Sequence, residues 1–149
     1  MKVIVDAFGG DYSPEETVLG AIDALNAKSS LTVVLTGDEN RIADVLKGQS
    51  YDASRLTVVH APDVVTNNDV PTDAVRTKKE SSLVKGLELL ATDDEAQAFV
   101  STGATGAVLV GAYMKVGRIK GVSRPALAPS LPTVKGKPVI LCDCGANVD

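Results

Sequence analysis

The sequence predicts an open, mostly parallel α/β sheet with helices on both faces, and three observations carry that expectation. Short β-branched runs alternate with helical patterns along the chain, the signature of βαβ units. Two interior runs, VVL within Leu31–Thr36 and TVV within Leu56–His60, are continuous rather than alternating, as in strands covered on both sides. Polar turns follow four of the strand candidates, and in such sheets ligands bind beyond the carboxyl ends of the strands.

The first strand is expected at Lys2–Asp6, where Val3, Ile4 and Val5 form a buried run. The turn DAFGGD follows. Gly9 and Gly10 lack a Cβ, so the chain can turn sharply there and backbone N–H groups can approach an anion. Pro14 suits a first helical turn, and the helix Glu15–Ala27 carries Val18, Ala21, Ile22 and Leu25 as one stripe. Strand Leu31–Thr36, helix Asn40–Leu46, strand Leu56–His60, helix Leu83–Leu90, strand Ala98–Ser101 and helix Gly106–Val116 come next. A last strand is expected at Pro138–Asp143, followed by a glycine-containing turn with no helix to cover it. No repeat, low-complexity tract or linker is visible. Residues 1–149 therefore read as one domain or part of one, and the chain is expected to be cut from a longer protein.

Composition narrows the function. Hydrophobic residues make up 44% and charged residues 23%, as in ordinary soluble domains. A net charge of −4, no arginine-rich tract and only 3% aromatics argue against nucleic acid as a partner. The sequence has no long apolar stretch and no signal-peptide pattern, so a cytoplasmic setting is the default. Cys142 and Cys144 share a face of the last strand candidate and suit packing better than a disulfide. No metal site is expected from this pair and the lone His60. His60 has no evident nucleophile partner, and it is not assigned as a base.

Chemistry concentrates in the turns. In STGATGA, Gly103 and Gly106 allow a tight turn, with Gly103 expected to need a positive φ. Ser101, Thr102 and Thr105 offer hydroxyls, and the following helix N-terminus offers free N–H groups to phosphate. The same residues also suit ordinary helix capping. The spacing is neither GxGxxG nor a Walker loop, so no nucleotide is signalled. The stretch from Val64 to Ser82 holds Asp69, Arg76, Lys78, Lys79, Ser81 and Ser82. Basic groups beside hydroxyls suit a phosphate or an acidic carrier, and equally a solvated helix face.

Taken together, VDAFGGDYSP, NNDVPTDAVRTKKESSL, STGATGA, RPALAPSLPT and CDCGANVD resemble, in order and spacing, the N-terminal half of the bacterial phosphate acyltransferase (PlsX) family of phospholipid synthesis. The resemblance spans nearly all 149 residues. It implies conversion of acyl-ACP (acyl carrier protein) and inorganic phosphate to acyl-phosphate and free carrier, without a cofactor. It implies a fold similar to phosphotransacetylases and to isocitrate and isopropylmalate dehydrogenases. It also implies a homodimer that associates peripherally with the membrane through a part beyond Asp149. On this reading Gly9, Gly10 and the turn Ser101, Thr102, Gly103, Ala104, Thr105 and Gly106 hold phosphate. Asp11, Asp69 and Asn147 orient partners, while Arg76, Lys78, Lys79, Ser81 and Ser82 meet phosphate or the carrier. A phosphotransacylase using acyl-CoA and a catalytically silent fragment are the alternatives. Two departures stand out. The family usually reads SAGNTGA, so Ala104 replaces an Asn amide that could touch phosphate or pin the loop. Phe8 stands where the family favours Met.

Overall fold

The structure, a computed structural model, describes residues 1–142. It divides into two compact units, Met1–Val116 and the segment from Gly117 onward.

The first unit is built on four parallel strands, β1 (Lys2–Asp6), β2 (Thr32–Gly37), β3 (Leu56–His60) and β4 (Ala96–Val100). Their order is β3-β2-β1-β4, with Val3 opposite Val33 and Ala98, and Val33 opposite Leu56. Chain direction across the sheet therefore reverses at β1, so the β1 and β4 carboxyl ends flank a topological switch point. The predicted first four strands lie within two residues of the observed ones.

Both faces are covered, which explains the continuous apolar runs. Val3 and Val5 of β1 and Val33 and Leu35 of β2 pack with Val18, Ile22 and Leu25 of α1 (Glu15–Ala27) and Ile42 of α2 (Glu39–Leu46). The alternate positions meet α4 (Ser82–Thr92): the buried Thr36 hydroxyl donates to the Ser82 carbonyl at 2.8 Å. Gly86 of α4 is needed there, since a Cβ would lie 2.4 Å from the Phe99 ring of β4. Leu83, Val84 and Leu87 of α4 pack with Val75 of α3 (Pro71–Thr77) and Ala107 of α5 (Thr105–Gly111) as a second core. A π-helical turn, Ala112–Val116, extends α5. Arg55, just before β3, holds the connection between α1 and β2: its guanidinium donates to the carbonyls of Leu25, Lys28 and Leu31 at 2.9–3.2 Å. The Leu25 and Lys28 carbonyls are among the acceptors which the end of α1 leaves open.

The second unit corrects one expectation. Of the strand expected at Pro138–Asp143, the described residues Pro138–Cys142 form no parallel pairing, and Asp143 lies outside the described residues. Only Val139–Ile140 (β6) is extended, paired antiparallel with Ser130–Leu131 (β5). Val139, Ile140 and Leu141 are at least half exposed, so a short hairpin takes up this apolar run. Cys142 is an exposed free thiol outside β6, and its predicted shared strand face with Cys144 falls outside the described residues.

Candidate active site

The two glycine turns meet at the switch point. β1 ends in Asp6 and leads into Ala7–Asp11, while β4 ends at Val100 and leads into Ser101–Ala104. The Asp6 carboxylate is buried, 2% exposed, and both its oxygens are engaged. Oδ2 accepts from the Ser101 hydroxyl at 2.8 Å, and Oδ1 accepts from the Phe8 amide at 3.2 Å. Ser101 Oγ in turn accepts from the Gly103 amide at 3.1 Å. A second link runs the other way, from the Thr102 hydroxyl to the Gly9 carbonyl at 2.7 Å.

These contacts leave no room for a side chain on Gly9. A Cβ there would lie 2.7 Å from Ser101 Oγ, 2.8 Å from the Gly103 nitrogen and 2.9 Å from Asp6 Oδ2. Gly10 has φ +101°, a left-handed conformation open to glycine, and also abuts Thr102. Gly103 has no positive φ, against expectation. Its need is for proximity, because a Cβ would sit 3.3 Å from the Gly9 Cα. Phe8 is buried beside the turn, with the Arg41 guanidinium 4.7 Å above its ring. The exchange at that position is accommodated as an apolar plug with a cation–π contact.

Two hollows open from this junction. One, of about 360 Å³, is lined by Gly9, Gly10, Asp11, Tyr12, Glu16 and Thr102, among others. The other, of about 300 Å³, runs between Gly10, Asp11, Gly103, Ala104 and the loop Thr66–Asn68. Asp11 is exposed and lines both. α5 begins beside the second hollow with Ala104 as its N-cap, and no side chain caps it. The amides of its first turn thus lack the partner a Ser, Thr or Asn would give. Ala104→Asn is expected to cap α5 and raise unfolding stability by about 0.5–1.5 kcal/mol. Chemical denaturation of both forms is the check; unchanged stability would mean that the Asn side chain points away from the helix.

Several predicted site residues have other work. Ser101 gives its proton to Asp6 and Thr102 gives its own to Gly9, so neither hydroxyl is free to donate to an anion. Ser81 and Ser82 are buried, at 0% and 1% exposure; Ser81 caps α4 by accepting from the Val84 amide. Lys78 donates to the Val64 carbonyl at 2.9 Å and to Asp69 at 2.7 Å. Asp69 also accepts from the Thr66 amide and hydroxyl, so it shapes the Thr66–Asp69 turn rather than facing either hollow. Arg76 and Lys79 are exposed with no ion pair among the described residues. Asn147 and the turn Gly145–Asn147 lie outside the described residues. Among the described residues no three His, Cys, Asp or Glu side chains are grouped to hold a metal. Sequence reasoning missed Asn67 and Asn68 as lining residues and Asp6 as the clamp. The adjacent Asn pair in a polar loop, and the acidic residue ending a strand before two glycines, were the available signals.

Lys78 and the Thr66 donors hold the Asp69 carboxyl down at about 2. A depressed folded-state value means that this contribution to stability is present above the unfolded carboxyl range and is lost as pH falls from about 4 through about 2. Replacing Asp69 by Asn is expected to flatten that part of the stability profile. Urea midpoints measured between pH 2 and 5 for both proteins check it, and parallel profiles would show that the ion pair does not stabilise the fold.

Comparison with known proteins adds the following. The sequence model of a family described as "Fatty acid synthesis protein" matches residues 1–149. A phosphate acyltransferase of Clostridium novyi (strain NT) is 48% identical over 149 residues, covering 100% of this chain and 44% of that protein. The phosphate acyltransferase of Clostridium tetani (strain Massachusetts / E88) is 46% identical with the same coverage. The chain thus spans less than half the length of the curated relatives it matches. A phosphotransacetylase from Streptococcus pyogenes superposes with a TM-score of 0.67 at 16% identity, covering 100% of this chain and 48% of that one. EutD phosphotransacetylase from Staphylococcus aureus gives 0.63 at 18%, covering 100% and 47%. At such identities the likeness is one of fold.

Proposed function

The chain belongs to the fatty acid synthesis protein family, and from that premise we propose that it forms the phosphate-binding part of a phosphate acyltransferase. In the whole protein the reaction would be acyl-ACP plus inorganic phosphate giving acyl-phosphate plus free carrier. The observation that carries the reading is the junction of two glycine turns at the ends of β1 and β4, beside an uncapped helix start. A phosphate oxygen attacks the thioester carbonyl, the C–O bond forms, the C–S bond breaks, and the carrier thiolate leaves and takes up a proton. Such a reaction needs no cofactor. It needs a site that removes water and aims the phosphate, with donors for the tetrahedral oxyanion.

In this assignment the amides of Gly10 and of Ala104–Gly106 face the phosphate, with the Thr105 hydroxyl as the side-chain donor still available, while those of Gly9 and Gly103 are engaged by the Asp6 carbonyl and by Ser101 Oγ and shape the turns. Asp11 orients the reactants between the two hollows, and Asn147 is assigned the same task from outside the described residues. Arg76 and Lys79 are the exposed cations for the acidic carrier, while Lys78 and Asp69 hold the loop between. Among the described residues no helix is long and apolar enough to cross a membrane. Homodimer formation, cytoplasmic placement and peripheral membrane association belong to the same proposal for the whole protein and rest on the resemblance.

The phosphotransacetylase fold keeps a second donor, acyl-CoA, in view. Incubating a protein of the relatives' full length with phosphate and either acyl-ACP or acyl-CoA of one chain length, and detecting acyl-phosphate by mass spectrometry, tests both. Product from acyl-ACP supports the reading. Product from acyl-CoA alone replaces it with the second, and none from either refutes both.

A further inference from the structure

We infer that Asp6 is a positioning residue of the candidate phosphate site, acting through Ser101 on the Gly103 amide. This inference rests on the proposed function and assigns a task to a buried carboxylate that the reaction itself does not call for. Three observations lead to it. Asp6 is 2% exposed, so it does not touch substrate directly. Its Oδ2 accepts a hydrogen bond from the Ser101 hydroxyl at 2.8 Å, which leaves Ser101 Oγ to accept from the Gly103 amide at 3.1 Å. The same three groups enclose the Gly9 Cα so closely that a methyl group would overlap each of them.

The direction of the chain of hydrogen bonds matters. A hydroxyl with one proton can donate to Asp6 or to a ligand, not to both. By accepting that hydrogen bond, Asp6 commits Ser101 Oγ to act as an acceptor toward Gly103. The amide of Gly103 is therefore turned inward. Charged acceptors make such bonds shorter and stronger than neutral ones, and burial keeps water from competing. The clamp also ties the end of β1 to the residue that follows β4, two groups 95 positions apart in the sequence. It sets the gap between the two turns at their closest approach.

The test uses two variants and two readouts. Ser101→Ala removes the relay hydroxyl from a half-buried position; Asp6→Asn keeps the shape but can accept on one side only. In the 149-residue chain, amide hydrogen exchange at Gly103, followed by NMR, is expected to rise at least about tenfold in both variants. The double variant is expected to add nothing beyond either single one, as for two links of one relay. In a protein of the relatives' full length, the KM for inorganic phosphate is expected to rise at least about fivefold, with the KM for the acyl donor unchanged. Unchanged Gly103 exchange in Ser101→Ala overturns the inference even if the unsubstituted protein has no acyltransferase activity. Faster exchange with an unaltered phosphate KM also overturns it, since the clamp would then be structural only. Absence of acyl-phosphate from the unsubstituted protein counts against the proposed function alone, and the exchange measurement still decides the relay.

Discussion

Gly9→Ala is expected to lower phosphate use by on the order of 100-fold in a full-length protein, the scale of loss that misplacement of about 1 Å produces. The new methyl would meet Ser101 Oγ at 2.7 Å, the Gly103 nitrogen at 2.8 Å and Asp6 Oδ2 at 2.9 Å. None of these is the far end of a flexible side chain. One is backbone, and the other two are fixed by hydrogen bonds to each other. The turns must separate, and the donor array at α5 moves with them. Overpacking of a rigid site costs about 1–3 kcal/mol, so the 149-residue chain should also unfold at lower denaturant. Gly103→Val acts through the same contact from the other side, where a Cβ has 3.2 Å to Ser101 Oγ and 3.3 Å to the Gly9 Cα, and the two γ-methyls of valine add to the crowding. Steady-state kinetics with phosphate as the varied substrate and urea unfolding are the two measurements. Unchanged KM and kcat in both variants would remove the glycine junction from the site.

The first unit was legible in the sequence because its signals are local. Three consecutive β-branched residues in β1, the stripe Val18–Ile22–Leu25 of α1 and the Gly9–Gly10 pair each report on a few neighbouring positions. Pro71 at the first position of α3 and Ser81 before α4 are equally local signals that the sequence reading leaves unused, since it expects no helix over Pro71–Thr77 and assigns Ser81 to binding. What stayed hidden depends on partners far away in the chain. Nothing in STGATGA says that Ser101 and Thr102 spend their protons on Asp6 and Gly9, because that follows from how β4 lies beside β1. Lys78 looked like a free cation until its nine-residue separation from Asp69 closed into an ion pair. The reading of Pro138–Asp143 failed for a different reason. An apolar run such as VIL looks alike in a buried parallel strand and in an exposed two-residue pairing, and only burial separates them.

The 149-residue chain assayed alone is expected to form no acyl-phosphate and to self-associate. Its relatives named phosphate acyltransferase are more than twice as long, since it covers 44% of them. Acyl transfer to phosphate competes with hydrolysis of the thioester and of the product, so the site must exclude water on all sides. The two hollows described here are bounded by the β1 and β4 turns, the start of α1 and the Thr66–Asn68 loop. A thioester has no second surface among these residues against which to be held. The association argument is separate. Among the described residues β4 is an edge strand, with Val100 47% exposed. Beside it an apolar hollow of about 350 Å³ is lined by Val3, Val5, Ala21, Ala24, Val33 and Val100, among others. An open strand edge next to apolar surface is a template for pairing with another copy. An assay with long-chain acyl-ACP and phosphate, read by mass spectrometry, tests the first expectation, and light scattering across a concentration series tests the second. Turnover comparable to that of a full-length relative would show that these residues hold a complete site. A monomer at high concentration would show that the β4 edge is protected by the chain itself.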